Sequence, residues 1–367
     1  MKIKSFEIFY NKIELKRTFT TSLGSMPYSK NIFVKVILES GTYGWGESAP
    51  HNKINGELIE SCLSIAPVLT SSLIGKNIFD HDEIYETLER CVYRNSSIKA
   101  AIDIACYDAA SKEKNLPLYK YLGGEVNKKL YTDYTVSLDS KEKMAEEAKS
   151  IMDMGLKIIK VKLGKNGKED VKRIHAIRNV IGDTIKLRLD ANQGWKIDEA
   201  IQTLKSLKKY KIEYCEAPID RELSYRLNEV KSASPIKIMA DESLFNSNDA
   251  QMLVDGNHCD MFNIKLGKSG GIREALNIIS IAEKNNIEMQ IGGFLESKIV
   301  FTANCHLAYQ SDLIKNLDCD SPLFHKQDPV IGGLEYCKDW EMKIHAKPGL
   351  NIELDNNFLN SCHKIKC

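Results

Sequence analysis

Hydrophobic and polar positions change rhythm twice along this chain. Near the start they alternate or run β-branched, so residues 3–10 and 32–38 predict strands and 42–46 a short glycine-punctuated return. Between residues 56 and 90 the spacing becomes helical, and 98–112 continues it with alanines and regularly spaced apolar residues. A small α+β unit is expected there. From residue 131 short apolar strands are predicted at 134–136, 158–162, 187–190, 213–216, 238–241, 262–265, 289–291 and 313–318. Amphipathic helical stretches such as 141–154, 168–181, 198–209 and 272–285 lie between them. The beat is about 25 residues, one strand–loop–helix unit, and eight units are enough to close a parallel barrel. After Pro322 the pattern returns to strands, at 340–345 and 350–354, separated by Lys347-Pro348-Gly349 and expected to rejoin the N-terminal unit. The expected fold is α/β: a (β/α) barrel with an α+β capping domain built from the N-terminal segment and the C-terminal tail. The expected boundaries are 1–125 for the cap, 126–322 for the barrel and 323–367 for the return.

Composition narrows the function classes. Of 367 residues 43% are hydrophobic and 28% charged, as in an ordinary globular protein. Lys and Arg total 51 against 50 Asp and Glu, so 51 − 50 leaves +1, with no basic footprint for nucleic acid or an anionic membrane. No apolar run approaches the roughly 20 residues that span a bilayer. Lys2, Lys4, Glu7, Lys12 and Glu14 rule out the apolar core of a secretion signal, so a cytoplasmic location is expected. The expected partner is a small molecule, and a homo-oligomer is compatible with the sequence. The 10 cysteines include no Cys-x-x-Cys pair and read as reduced, buried thiols. The 8 histidines lack ligand spacing, so zinc is not expected. Gly44-Trp45-Gly46 is no nucleotide fingerprint, because no G-x-G-x-x-G follows.

Barrel enzymes place their chemistry at the C-terminal ends of strands. Here the third, fourth and fifth predicted strands end in Asp190, Glu216 and Asp241, neighbours on one arc of the mouth. Any one of them could be a helix cap or a solvated loop acid. Three in register, without His or Cys, suit a hard cation: Mg²⁺ first, Mn²⁺ second. Lys160 and Lys162 are two apart on the second strand and project the same way, and helices cover the outer face of a barrel strand. Two inward ammoniums repel, which is expected to lower the proton affinity of at least one. Lys265 ends the sixth strand, opposite the second in an eight-strand ring. A carboxylate substrate on the metal would therefore meet an amine on each face. One lysine would take the α-proton and the other return a proton, inverting the carbon. Asp318 and Asp320, at the end of the eighth strand, face the same site and suit a cationic group on the substrate. An α-ammonium one peptide unit from the chelated carboxylate fits, since consecutive Cα atoms are about 3.8 Å apart.

These residues resemble the enolase superfamily, in its muconate-lactonising-enzyme subgroup, along nearly the whole chain. The resemblance rests on Gly44-Trp45-Gly46-Glu47, Lys160-Val161-Lys162, Leu189-Asp190-Ala191-Asn192, Glu216-Ala217-Pro218, Ala240-Asp241-Glu242-Ser243, the run from Lys265 to Gly271, and Pro348-Gly349-Leu350. Asp318-Cys319-Asp320 looks like the signature of the dipeptide epimerases. The resemblance implies an isomerase with Mg²⁺ on Asp190, Glu216 and Asp241, Lys162 and Lys265 as the acid/base pair, and Lys160 beside the substrate carboxylate. Asp318 and Asp320 would bind the dipeptide's amino terminus. Thr135, Gly293, Leu295 and Glu296 would line the site, with the backbone amides of Gly293 and Leu295 aimed at substrate. L-Ala-D/L-Glu and related L-Xaa-L-Xaa dipeptides, of the kind released from cell-wall murein, are the implied substrates. One departure stands out: where family members acting on L-Ala-D/L-Glu carry a cap-loop arginine for the glutamate side chain, this chain has Gly24. Lys16, Arg17 or Lys30 are the available substitutes.

Two other readings compete. A lyase on the same scaffold, an o-succinylbenzoate synthase or cycloisomerase, needs the metal site and the lysines but has no use for Asp318 and Asp320. A metal-stabilised binding protein without turnover gains nothing from two opposed inward lysines.

Overall fold

The computed structural model describes residues 1–365. Eight parallel strands lie side by side in chain order: β1 (Tyr134–Val136), β2 (Ile158–Lys162), β3 (Lys186–Asp190), β4 (Ile212–Glu216), β5 (Lys237–Ala240), β6 (Met261–Lys265), β7 (Glu288–Gly292) and β8 (Ile314–Leu317). The ring closes ahead of β1, where Thr132 bridges Leu317 in parallel sense and the Asp133 amide donates to the Leu317 carbonyl at 3.4 Å. The helices between strands start at polar caps that satisfy otherwise unpaired amides: Ser140 accepts from the Lys143 N–H and Asn166 from the Glu169 N–H. Their apolar faces and the outward strand residues form one core, Ile159, Val161, Leu187, Leu189 and Ile238 among them. Inward positions on the same strands carry the lysines and acids, so the period of two separates core from chemistry.

The cap is an antiparallel sheet in the order His363–Ile365, Ile3–Thr21, Gly24–Leu38, Tyr43–Ser48. Helix Ser96–Glu113 lies against it so closely that a Cβ on Gly46 would stand 1.9 Å from the Ala101 carbonyl oxygen, and one on Gly44 2.2 Å from that of Ala105. Close backbone approach, not a ligand, accounts for Gly-Trp-Gly. Glu47 then fastens the cap to the barrel. Its buried carboxylate accepts from Asn31 Nδ2 at 2.7 Å, from the Ser297 amide at 2.9 Å and from Ser297 Oγ at 2.6 Å.

Two expectations change. The first two strands run far beyond 3–10 and 32–38, pairing as far as Thr21↔Gly24 with an irregularity between Glu14 and Phe19. Alternation continues through Ile13 and Leu15, both buried, and fails at Lys16-Arg17-Thr18, which are exposed where the pairing of the two strands is irregular. The late strands also divide. Of the chain's end, His363–Ile365 joins the N-terminal sheet. Glu341–Lys343 instead pairs with Leu130–Tyr131, and Ile352–Leu354 with Val330–Gly332. Glu353 still reaches the cap, accepting from Tyr43 Oη at 2.8 Å and Trp45 Nε1 at 3.3 Å. The described cysteines are all free thiols, and no described helix is long and apolar enough to cross a membrane.

Candidate active site

Strand register assembles the acids. Asp190 lies opposite Glu216 across β3 and β4, Lys162 lies opposite Asp190 across β2 and β3, and Asp241 follows β5 directly. All three carboxylates are fully buried. Lysines close on them from both sides. Lys162 Nζ is 2.6 Å from Asp190, while Lys265 Nζ is 2.6 Å from Asp241 and 3.7 Å from Glu216. Lys160 Nζ stands between, 2.7 Å from Glu216, 3.2 Å from Asp190 and 2.7 Å from Asp318. Lys268, three residues past Lys265, donates to the other Asp241 oxygen at 2.6 Å and to the Asn263 carbonyl at 3.1 Å. It holds the end of β5 to the end of β6.

The electrostatics follow from this mixture. Burial alone would push the Asp190 and Asp241 carboxyls up, but the lysines beside each outweigh it and both are lowered. Glu216 goes the other way, raised by burial and by Asp190. At Lys160 the repulsion between the two strand lysines does not prevail. Burial acts to lower its proton affinity, but Asp318, Glu216 and Asp190 outweigh it and its ammonium is raised. Lys265 is likewise raised, Asp241 and Glu216 prevailing over burial.

The donor set fits a hard cation. It is all oxygen, and orphaned acceptors lie around it. Glu242 Oε2, Asn192 Oδ1 and Asn263 Oδ1 are buried with no partner among the described residues, although Asn263 Nδ2 bonds Glu216 at 2.8 Å and Asn192 Nδ2 bonds Glu242 at 3.3 Å. Mg²⁺ and Mn²⁺ match such a set and zinc does not.

A cavity of about 320 Å³ lies over these groups, on the order of ten water volumes. Lys162 and Lys265 both line it, from opposite sides of the barrel, and so do Thr135, Gly293, Leu295, Asp318 and Asp320. The Thr135 amide donates to Asp320 at 2.7 Å. Glu296 does not reach the cavity. Its fully buried carboxyl turns back to accept from the Phe294 amide, so it shapes the loop after β7 rather than touching a ligand. Asp318 is held low, its burial outweighed by Lys160 and Lys162, whereas burial and Asp318 raise Asp320.

The opposite wall belongs to the cap. Phe19, Leu23, Met26 and Tyr28 of the long hairpin line the cavity with His51, Ile54 and Phe294. The hairpin tip is docked, since Ser22 Oγ donates to the Asn192 carbonyl at 2.9 Å. Phe19 stacks on Phe324 with ring centres 5.5 Å apart. Two candidate cations for a substrate side chain are engaged elsewhere: Lys16 donates to the Leu323 carbonyl at 2.9 Å, and Arg17 is ion-paired to Glu147. Lys30 lies on the cavity wall, with Glu60 at 3.9 Å. Lys53, absent from the sequence reading, caps the Leu23 carbonyl and stands 3.6 Å from where a Gly24 Cβ would be. The hairpin wall, His51, Lys268 and Asp133 were also missed. Asp133 alone had a local signal, two residues before Thr135 and so on the same face of an extended chain.

Comparison with known proteins agrees with this architecture. The N-terminal-domain model of the mandelate racemase / muconate lactonizing enzyme family matches residues 5–123, and the model "Enolase C-terminal domain-like" matches 143–358. A D-Ala-D/L-Ala epimerase of Cytophaga hutchinsonii is 42% identical over 100% of this chain and 99% of its own. The structure of the dipeptide epimerase from that organism, in complex with Mg and D-Ala-L-Val, superposes with a TM-score of 0.98 at 42% identity, over 100% of this chain and 99% of that one. An L-Ala-D/L-Glu epimerase of Clostridium acetobutylicum is 38% identical over 97% of this chain and 100% of its own. The dipeptide epimerase of Enterococcus faecalis, solved with Mg and L-Leu-L-Tyr, gives a TM-score of 0.93 at 37% identity, over 96% of this chain and 100% of that one. With both domains matched and full-length relatives at this identity, the chain belongs to the enolase superfamily, in its mandelate racemase and muconate lactonising enzyme branch.

Proposed function

We propose that this protein is an isomerase, a Mg²⁺-dependent dipeptide epimerase that inverts the α-carbon of the C-terminal residue. The observation that carries the reading is the placement of Lys162 and Lys265 on opposite strands, facing one cavity over three buried carboxylates. Asp190, Glu216 and Asp241 would hold the metal, which when bound supplies positive charge to the substrate carboxylate and so acidifies the α-proton. Lys162 and Lys265 exchange the proton across the α-carbon: one, as the free amine, takes it from one face, and the other delivers its own to the opposite face. Lys160 offers a fixed cation beside the substrate carboxylate, where negative charge grows as the proton leaves. Asp318 and Asp320 bind the amino terminus, and Thr135, Gly293 and Leu295 frame the peptide.

In this reading residues 1–125, joined by His363–Ile365, act as the selecting cap and 126–322 as the catalytic barrel, in the cytoplasm. Leu23, Met26, Ile54 and Phe294 favour an uncharged, apolar second side chain. L-Ala-D/L-Glu remains a substrate, without an arginine fork to prefer it.

The test is proton NMR in D₂O with Mg²⁺ and pooled L-Ala-L-Xaa dipeptides. Loss of the second residue's α-proton signal with growth of the L,D diastereomer supports the reading, and no exchange on any dipeptide refutes it. The competing lyase reading is separated by Asp318→Asn and Asp320→Asn, which cripple an epimerase and spare a lyase.

A further inference from the structure

Behind Asp318 and Asp320 lies a third acid. Asp133 is fully buried just ahead of β1, and one carboxylate oxygen from each of Asp133, Asp318 and Asp320 falls within 4.8 Å of the others. We infer that Asp133 is a positioning residue of the amino-terminal subsite, one that sharpens the preference of Asp318 and Asp320 for a positively charged substrate end over an acylated one. The inference rests on the dipeptide reading above and adds a residue to it.

The cations around the cluster are few and shared. Asp318 has Lys160 at 2.7 Å, but that ammonium is shared with Asp190 and Glu216. Asp133 Oδ2 accepts from Arg188 at 2.9 Å. Arg188 is in turn held by Glu213 at 2.9 Å and Asn316 at 2.5 Å, so it cannot swing forward. Asp320 accepts the Thr135 amide and has no cation within ion-pair distance among the described residues. Asp133 Oδ1 has no hydrogen-bond partner among them at all. Two acids that open on the cavity, backed by a fully buried carboxyl group that offers them no counter-charge, mark a place where one more cation with several N–H donors belongs. Burial, followed by Asp318, pushes both Asp133 and Asp320 up, consistent with acids short of counter-charge.

Asp133 does not line the cavity, so it acts through its neighbours. Its carboxyl holds Arg188 back from Asp318 and Asp320, so the negative potential of that pair is left to Lys160 and to a group in the cavity. A protonated amine answers that potential with charge and three donors. An N-acyl amide offers one donor and no charge, leaving a buried carboxylate uncompensated.

The test compares L-Ala-L-Leu with its N-acetyl derivative on Mg²⁺-loaded wild type and Asp133→Asn, by α-proton exchange and by calorimetric binding. Asparagine keeps an acceptor for Arg188, and if that variant does not fold, Asp133→Ser serves. The wild type is expected to prefer the free amine by on the order of 100-fold or more. In Asp133→Asn, KM for the free dipeptide rises about tenfold with kcat within about twofold, and the preference over the N-acetyl form narrows by the same factor. A merely structural role would lower kcat for both and leave the ratio alone, which overturns the inference. So does a wild type that binds both forms equally. A wild type that binds the free dipeptide selectively but exchanges no proton instead overturns the epimerase reading and keeps this one.

Discussion

His306 offers a quantitative test of how this fold buries ionisable groups, well away from the carboxylate cluster. It lies on helix Lys298–Leu307, 1% exposed, where Nδ1 accepts the Tyr119 amide at 3.0 Å and the ring stacks on Tyr119 at 5.7 Å. Burial pushes its pKa down from 6.5 to about 3. The imidazole is therefore neutral in the folded protein throughout the range where the unfolded chain takes up a proton. Because the folded value is the lower one, the contribution to stability is complete above pH 6.5 and is lost progressively as pH falls towards 3. At pH 5 the unfolded state gains about 1.5 pH units of protonation that the folded state lacks, or about 2 kcal/mol. His306→Asn keeps an acceptor near Nδ1 and removes the titration. Urea unfolding at pH 7.5 and pH 5.0 of both proteins isolates the effect, because His51 and His81, each lowered to about 4 by burial, titrate alike in both. The wild type should lose about 2 kcal/mol more than the variant between the two conditions. Equal losses would mean that His306 is protonated inside the fold or exposed, and would refute the reasoning.

Lys162→Met and Lys265→Met should each abolish epimerisation, while one of them retains α-proton exchange from a single stereoisomer; normal turnover in both, followed by chiral chromatography, would overturn the two-lysine mechanism. Treatment with EDTA should stop the reaction and added Mg²⁺ restore it, whereas unchanged rates would remove the metal from the mechanism. Gly46→Ala should cost about 3 kcal/mol or more in urea unfolding, since the new Cβ meets helix backbone that cannot turn aside; a change under about 0.5 kcal/mol would mean the sheet and helix separate easily.

Much of the barrel and of its acid and lysine set could be read from sequence because strand geometry is local. A period of two states which residues share a face, and a beat of about 25 residues states which strands are neighbours. Asp190, Glu216, Asp241, Lys162 and Lys265 are all at strand ends, so those two rules place them. The hairpin wall escaped because alternation fails at Lys16-Arg17-Thr18, three exposed positions in a row just beyond the buried Leu15. Glu296 misled for a related reason. Position after β7 puts its backbone near the mouth, but a bond to the Phe294 amide turns its side chain inward.

The sequence by itself determined the βα rhythm, the inward face of each strand and the chemical kinds of group that meet at the mouth. Tertiary structure alone decided which cations are free to meet a substrate, with Arg17 taken by Glu147 and Lys16 by the Leu323 carbonyl. It also decided that Asp133 stands behind Asp318 and Asp320, and that Phe19 and Met26 of the cap roof a cavity floored by barrel lysines. The physical reason is range. Backbone periodicity acts over a few residues and survives in the pattern of the chain, whereas ion pairing, burial and orphaned oxygens depend on which distant segments come within a few ångströms, and nothing local encodes that.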